Sequence, residues 1–273
     1  MRILVTNDDG IDSLGLHILA RAMRSHGDVV IAAPDSEYSG AGASLGALQH
    51  IQPEIHRATV AGVGAAWAVN GPPALCVMFA RLGAFGGPFD LVVSGINPGA
   101  NVGRAVYHSG TVGAVLTARA GGISGVAVSQ AVAGGGVEGQ GSDEVLGDQR
   151  WDTAAAAAHA VVGGLLTAPP EGPVAVNINV PNLTTAEVKG WRYATVGRVP
   201  PRTVKEVALV PKQGHEGAFH VRMVWGDEVV LEPETDGGAV ARDEIAVSFL
   251  SAIRAEPAEH AAMTRALDDR FRR

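Results

Sequence analysis

The sequence has little cysteine and little charge. Cys76 is the single cysteine among 273 residues, which excludes an intramolecular disulfide framework and a metal site built from clustered cysteines. This usage fits a reducing cytosol, and any metal must bind oxygen or imidazole ligands. Only 18% of the residues are charged and the formal net charge is −7, so no broad basic surface is available for phosphate backbones. We therefore expect no nucleic-acid partner.

Long apolar runs are also missing. The stretch MRILVTNDD has one basic residue and only three apolar residues before polar residues begin, far short of a secretory signal. The most apolar later window, 154–168, is interrupted by His159, Gly163 and Gly164, whereas a membrane-spanning helix needs about 20 apolar residues. We expect a cytoplasmic protein with no membrane partner.

The first half of the chain alternates between strand and helix patterns. Residues 3–5 form a short apolar run, typical of a strand that is buried on both faces. Leu16, Leu19 and Met23 then share one helix face, and Gly27 is placed to end that helix. The same alternation predicts strands at 29–33, 65–69, 91–93, 126–128 and 174–180, and helices at 72–82, 111–120 and 152–166. Such repeats favour an open, parallel α/β sheet that binds ligands at the carboxyl ends of its strands.

The later part of the chain differs in composition and in sequence pattern. Residues 131–150 are rich in glycine and acidic residues, which predicts a mobile loop or an insertion. From Trp191 onward the pattern indicates β-hairpins, followed by an amphipathic helix over 256–273. The β-rich runs are 191–199, 219–225, 228–233 and 244–250. We expect an α/β core over 1–190 and an extension over 191–273 within the same domain.

Three loops that are rich in small, oxygen-bearing residues follow predicted strands. The first holds Asp8 and Asp9, the second is centred on Ser39, and the third begins with Asn97 and later includes Asn101. Two adjacent carboxylates repel each other and resist burial, so a positive charge is expected between them. Carboxylates with serine and asparagine oxygens suit a hard cation such as Mg²⁺ or Mn²⁺. An ordinary turn with a helix-capping carboxylate is the alternative explanation for the acid pair.

The third loop ends in Ser109-Gly110-Thr111, where a helix is predicted to begin. Free backbone N–H groups at a helix start favour an anion, and glycine lets a phosphate approach closely. His108 immediately precedes this turn and is the histidine nearest to it along the chain. A helix cap without a ligand remains the alternative. A metal that faces a phosphate cradle predicts phosphoryl transfer or phosphate hydrolysis.

Taken together, these stretches resemble the survival protein SurE family of metal-dependent 5′-nucleotidases. The similarity lies in MRILVTNDDGI, APDSEYSG, DLVVSGINPGANVG, SGTVGA and VNINVP, in that order. The resemblance implies a Rossmann-like three-layer α/β core with a mostly parallel sheet, and a β-rich C-terminal extension used for oligomerisation in homodimers or homotetramers. It also implies hydrolysis of nucleoside 5′-monophosphates, and in some members of 3′-monophosphates and short polyphosphate.

The resemblance implies roles for individual residues. One divalent cation per subunit, Mg²⁺ or Mn²⁺, would be held by the family's ligand positions. We expect either this metal or one of the paired aspartates to activate the attacking water. The family's metal ligands fall on Asp8, Asp9, Ser39 and Asn97, and its phosphate-contacting turn falls on Ser109, Gly110 and Thr111. From the residues themselves we add Asp8 and Asp9 as catalytic candidates, and Asn97 and His108 as further candidates for phosphate contact.

The chain also departs from the family pattern at residues 36–38, Leu75, His108 and Thr117, which leaves its substrate preference open. A catalytically weak or inactive relative that binds nucleotide or metal as an oligomer is therefore an alternative function. A haloacid-dehalogenase-type phosphatase is disfavoured because Gly10 stands where its second aspartate is needed. A dinucleotide-binding module is disfavoured because the first turn lacks the G-x-G-x-x-G spacing.

Overall fold

The computed structural model describes residues 1–46, 52–132, 146–199, 204–227, 229–253 and 260–271. Most of the loop predicted over 131–150 lies outside these ranges. The strands are β1 (Arg2–Thr6), β2 (Asp28–Pro34), β3 (Ile55–Ala58), β4 (Ala65–Val69), β5 (Leu91–Pro98), β6 (Ser124–Gln130), β7 (Ala175–Val180), β8 (Gly190–Tyr193), β9 (Val204–Pro211), β10 (Phe219–Trp225) and β11 (Glu244–Leu250). The helices are α1 (Leu14–Met23), α2 (Pro73–Arg81), α3 (Gly110–Ala120), α4 (Trp151–Thr167), α5 (Asp236–Val240) and α6 (Ala261–Phe271), with a 3₁₀ helix over Gly103–Tyr107.

Nine of these strands form one sheet, in the order β3-β4-β2-β1-β5-β6-β7-β11-β8. The six strands from β4 to β7 in this order run parallel to one another. At the two ends, β3 is antiparallel to β4 and β11 is antiparallel to β7. The continuous apolar runs of the central strands explain this arrangement, because a parallel sheet is buried on both faces.

Helices cover both faces of the sheet. In β1, Ile3 and Val5 point into one apolar layer, where they pack with residues of α1 and α4. Leu4 points into the opposite layer, with residues of α2 and α3. This alternation follows from the two-residue period of a strand. The three-layer, mostly parallel α/β fold expected from the sequence is confirmed.

The strand order contains a topological switch point between β1 and β5. After β1 the chain moves to β2 on one side, whereas β5 lies on the other side of β1. In open α/β sheets, loops diverge at such a point and leave a crevice at the carboxyl ends of the strands. The acid pair follows β1, and Asn97 lies at the carboxyl end of β5, so both stand at this edge of the sheet.

Some of the local expectations are wrong. The first helix ends at Met23, before Gly27. The strands β8 and β11 join the main sheet instead of forming hairpins, because β11 pairs with β7 and β8 pairs with β11. Residues 229–233, the described part of the β-rich run 228–233, form neither a helix nor a strand. Strands β3 and β9 were not expected from the sequence.

The C-terminal part also contains a separate two-stranded sheet, in which β9 and β10 form an antiparallel pair. Its strand β10 coincides with the β-rich run 219–225, and a hairpin was expected in this part of the chain, although the partner strand β9 was not. The last helix, α6, carries no buried residue among those described. Across the described ranges, no helix combines the length and the apolar character that crossing a bilayer requires.

Candidate metal and phosphate site

The first strand delivers the acid pair to the switch point. Asp8 is buried and Asp9 is partly buried, directly after the apolar core of β1. The turn is held by Asn7, whose Nδ2 donates to the carbonyl oxygen of Gly10 at 3.1 Å. The backbone N–H of Tyr38 donates to the carbonyl oxygen of Asp8 at 2.7 Å, which joins the second loop to the first. Two of the three predicted loops therefore meet at the acid pair.

The third loop reaches the same place through the start of α3. The hydroxyl of Thr111 donates to Oδ1 of Asp8 at 2.5 Å. Gly110 lies so close that a Cβ atom there would be 2.7 Å from Oδ2 of Asp8, so any larger residue would displace the carboxylate. The sequence places Asp8 and Thr111 103 positions apart, and the fold brings them into direct contact.

Burial disfavours the charged form of both carboxylates in this acid pair. Burial raises the pKa of Asp8 and outweighs the Thr111 hydroxyl and the N–H groups of Thr111 and Gly110, which lower it. The pKa of Asp9 is raised well above its ordinary value, first by burial and then by repulsion from Asp8 and Glu37. A bound cation between the two carboxylates would offset both effects, so the acid pair fits a divalent metal.

The other two predicted ligands, Asn97 and Ser39, differ in burial and in the hydrogen bonds that orient their side chains. Asn97 lies at the end of β5, after an irregularity in its pairing with β6, and is buried. Its Nδ2 donates to the carbonyl oxygen of Gly99 at 2.7 Å, which fixes the orientation of the amide. Ser39 is exposed, and its hydroxyl donates to Oε1 of Glu37 at 2.8 Å. Coordination by Ser39 would require that hydroxyl to turn away from Glu37.

The donor set has the chemistry of a hard-cation site. Two carboxylates, one amide and one hydroxyl supply oxygen atoms alone, which Mg²⁺ and Mn²⁺ prefer. In the parts of the chain that the structure describes, no group of three or more His, Cys, Asp or Glu side chains is arranged to hold a metal.

The helix start has two functions in this geometry. The Ser109 hydroxyl oxygen accepts the backbone N–H of Val112 at 3.1 Å, so Ser109 is the N-cap of α3. The next two N–H groups, of Gly110 and Thr111, face the Asp8 carboxylate. His108 is exposed. Its backbone carbonyl oxygen accepts a hydrogen bond from the backbone N–H of Gly42 at 2.9 Å. The backbone of His108, more than its ring, thus joins the second and third loops.

A buried amide network supports the third loop, and sequence reasoning assigned it no role. The backbone N–H of Asn101 donates to Oδ1 of Asn179 at 2.7 Å, and its Nδ2 donates to the Ser129 hydroxyl at 2.9 Å. Nδ2 of Asn177 donates to the Asn101 carbonyl oxygen at 2.9 Å. The alternating asparagines of VNINV, in a strand buried on both faces, are the signal that could have revealed this network.

The sheet order and the acid pair at its switch point define an α/β protein of the Rossmann-like class with an acidic ligand site. The family model described as Survival protein SurE matches residues 3–202. The chain belongs to the SurE family.

Individual relatives agree with this assignment. A 5′-nucleotidase SurE of Syntrophomonas wolfei is 32% identical over 251 residues, which are 91% of this chain and 88% of that protein. A 5′/3′-nucleotidase SurE of Salmonella arizonae is 34% identical over 254 residues, 92% of this chain and 90% of that protein. The crystal structure of the SurE protein from Aquifex aeolicus is similar with a TM-score of 0.73 at 26% identity, over 98% of this chain and 99% of that one.

Proposed function

We propose that this protein is a divalent-metal-dependent phosphomonoesterase that hydrolyses nucleoside 5′-monophosphates to nucleoside and phosphate. The main support is the contact between Asp8 and the first turn of α3, which sets a cation-binding acid pair against an anion-binding helix start. Membership of the SurE family and the nucleotidase names of its relatives support the same reaction.

The metal site is proposed from the donor set. Asp8, Asp9 and Asn97 would hold one Mg²⁺ or Mn²⁺ ion per subunit, and Ser39 would complete the set once its hydroxyl turns from Glu37. When bound, such an ion supplies positive charge for phosphate oxygens and lowers the pKa of a bound water. The hydrogen bond from Thr111 fixes the orientation of the Asp8 carboxylate before any ligand arrives.

The protein's own groups position the phosphate and move the proton. The N-terminal turn of α3, with the flanking Ser109 and His108, provides the positive end of a helix for the remaining phosphate oxygens. Asp8 is engaged by Thr111, whereas Asp9 is partly exposed and can be reached by water. We assign Asp9 as the base: a carboxylate oxygen takes a proton as water attacks phosphorus, the P–O bond to the sugar breaks, and the sugar oxygen takes a proton from solvent.

The test compares Asp8→Asn and Asp9→Asn with the wild-type protein, using UMP or AMP and Mn²⁺. Each substitution should lower kcat/KM about 10³-fold, since it removes a charged group from the reacting centre. Asp12→Asn, at an exposed position of the same loop, is the matched control and should keep its activity. Activity close to wild type in both variants would exclude the proposal. Nucleotide binding without phosphate release by the wild-type protein would favour the inactive relative instead.

We also propose that the chain forms a homodimer or a homotetramer through the β9–β10 hairpin. The cross-strand pairs of this hairpin place a set of exposed apolar side chains on a single face. A two-stranded hairpin is marginally stable by itself, so burial of this face against a second copy would stabilise it. The face consists of Val207, Leu209, Phe219, Val221 and Met223.

A further inference from the structure

A pocket of about 170 Å³ is lined in part by Tyr38, whose backbone N–H bonds to the carbonyl oxygen of Asp8. It lies between the loop that follows β2 and the first turn of α2. Tyr38 and Leu45 line it from the loop side, and Asn70, Pro72 and Leu75 line it from the other. Both walls stand at the carboxyl end of the sheet, because β2 ends at Pro34 and β4 ends at Val69.

The loop wall of this pocket is attached directly to the proposed reaction centre. The backbone N–H of Tyr38 bonds to the Asp8 carbonyl oxygen, and Tyr38 is also one of the residues that line the pocket. Four residues later, Gly42 packs on α3 so closely that a Cβ atom on Gly113 would lie 2.1 Å from its carbonyl oxygen. The loop therefore runs from the acid pair to the first turns of α3, and residues of this same loop form one wall of the pocket.

The lining suits a flat, uncharged group. The residues around the pocket include the aromatic Tyr38 and the apolar Leu45, Pro72 and Leu75, and none of the described lining residues is charged. An apolar cavity of about 150 Å³ is known to hold a benzene molecule, so this volume accommodates one aromatic ring. Asn70 and Ser44 add polar groups that can hydrogen-bond the edge of such a ring.

The surroundings of the pocket disfavour a second anionic group. Asp35 accepts a hydrogen bond from Nδ2 of Asn70 at 3.0 Å, and Glu37 accepts one from Ser39 at 2.8 Å. Both carboxylates are exposed, next to residues that line the pocket or belong to the metal site. Like charges nearby raise the cost of bringing a further phosphate or carboxylate into this region.

We infer that this pocket binds the base of the nucleoside monophosphate, with Tyr38 packing against its ring. The inference rests on the proposed function and deepens it, since it names the part of the substrate that the enzyme selects. Phosphate esters whose alcohol carries an uncharged aromatic ring become the preferred class. Ribose 5-phosphate lacks an aromatic ring, and tripolyphosphate brings extra negative charge, so both become poor substrates.

The experiment compares UMP with ribose 5-phosphate, which differ by the base alone. The wild-type protein should show a kcat/KM for UMP about tenfold or more above that for ribose 5-phosphate, the usual effect of stacking one base on an aromatic side chain. Tyr38→Ala should bring this ratio close to one, and Tyr38→Phe should retain the ratio. Ser44→Trp, which fills the pocket, should act like Tyr38→Ala. Tyr193→Ala, at an exposed position on β8, is the matched control.

Two results would overturn the inference: a wild-type ratio near one, or a ratio that Tyr38→Ala and Ser44→Trp leave unchanged. If none of these esters is hydrolysed, the proposed function fails, and calorimetry with uridine then decides about the pocket. Uridine should bind the wild-type protein and Tyr38→Phe at least fivefold more tightly than it binds Tyr38→Ala. Equal affinities, or no binding to the wild-type protein, would overturn the inference separately from the reaction.

Discussion

The Asp236 carboxylate accepts the backbone N–H of Gly103 at 3.0 Å. Gly103 begins the 3₁₀ helix that leads into Ser109, so this bond joins the C-terminal part of the chain to the proposed phosphate cradle. The same carboxylate accepts the N–H groups of Gly197 at 2.9 Å and of Gly237 at 2.8 Å. Asp236 is fully buried and thus fixes three separate segments at one point.

Asp236→Ala should destabilise the fold and weaken the site together. The change leaves three backbone N–H groups without their acceptor, at about 1 kcal/mol or more for each, so the free energy of unfolding should fall by about 3 kcal/mol. Asp236→Asn retains an acceptor oxygen and removes the buried charge, whose burial raises the pKa of Asp236, so it should cost less. Urea unfolding measures both. Asp152→Ala, at an exposed position in the first turn of α4, serves as control, and equal stability of all three variants would contradict this role of Asp236.

Thr111→Val should impair catalysis with little loss of stability. Valine preserves the shape of the side chain but removes the hydroxyl that donates to Asp8. Loss of a group that orients a metal ligand lowers activity or metal affinity by about 10- to 100-fold. Mn²⁺ titration of phosphate release separates these two effects. Thr117→Val, which removes a hydroxyl bonded to Gly113 within the same helix, should leave both quantities unchanged, and an equal loss in the two variants would point to a general effect on α3.

The sequence predicted the parts of this site that depend on local pattern. Apolar runs that end in polar residues mark the carboxyl ends of β1 and β5, so Asp8, Asp9 and Asn97 were expected to lie near one another. The helix start at Ser109 could be anticipated from its capping residue. The structure then shows that β1 and β5 are neighbours in the sheet, which brings their carboxyl ends together.

Contacts between distant segments could not be predicted in the same way. Asp236 lies 133 positions from Gly103, in a segment whose local pattern indicates only a turn. The orientation of the Ser39 hydroxyl toward Glu37 depends on rotamers that the residue order does not determine. The sequence predicts hairpins at β8 and β11, because a short β-rich pattern is the same in a hairpin and in a strand of the main sheet. Only the strand pairing, of β11 with β7 and of β8 with β11, distinguishes the two arrangements.

The hairpin supports a prediction about assembly. Leu209→Lys together with Val221→Lys places two charges directly opposite each other on the apolar face, where burial in an interface would be costly. Sedimentation velocity should show an oligomer for the wild-type protein and monomer for the double variant. Val210→Lys, on the opposite face of the same strand, should leave the oligomer intact. A wild-type protein that sediments as a monomer would contradict the proposed interface.

Asp9→Asn should stabilise the metal-free protein while abolishing its response to metal. Burial and repulsion by Asp8 raise the pKa of Asp9, so the folded state binds the proton more tightly than the unfolded state. With a chelator present, the wild-type protein should therefore lose stability as the pH rises above about 4, the ordinary pKa of an aspartate, and this loss should be smaller in the variant. At pH 7 with chelator, the variant should have the higher Tm.

Millimolar Mn²⁺ should reverse this order of Tm values, because it binds and stabilises only the wild-type fold. If Mn²⁺ raised the Tm of both proteins equally, the ion would be binding elsewhere, and the acid pair would not be the metal site.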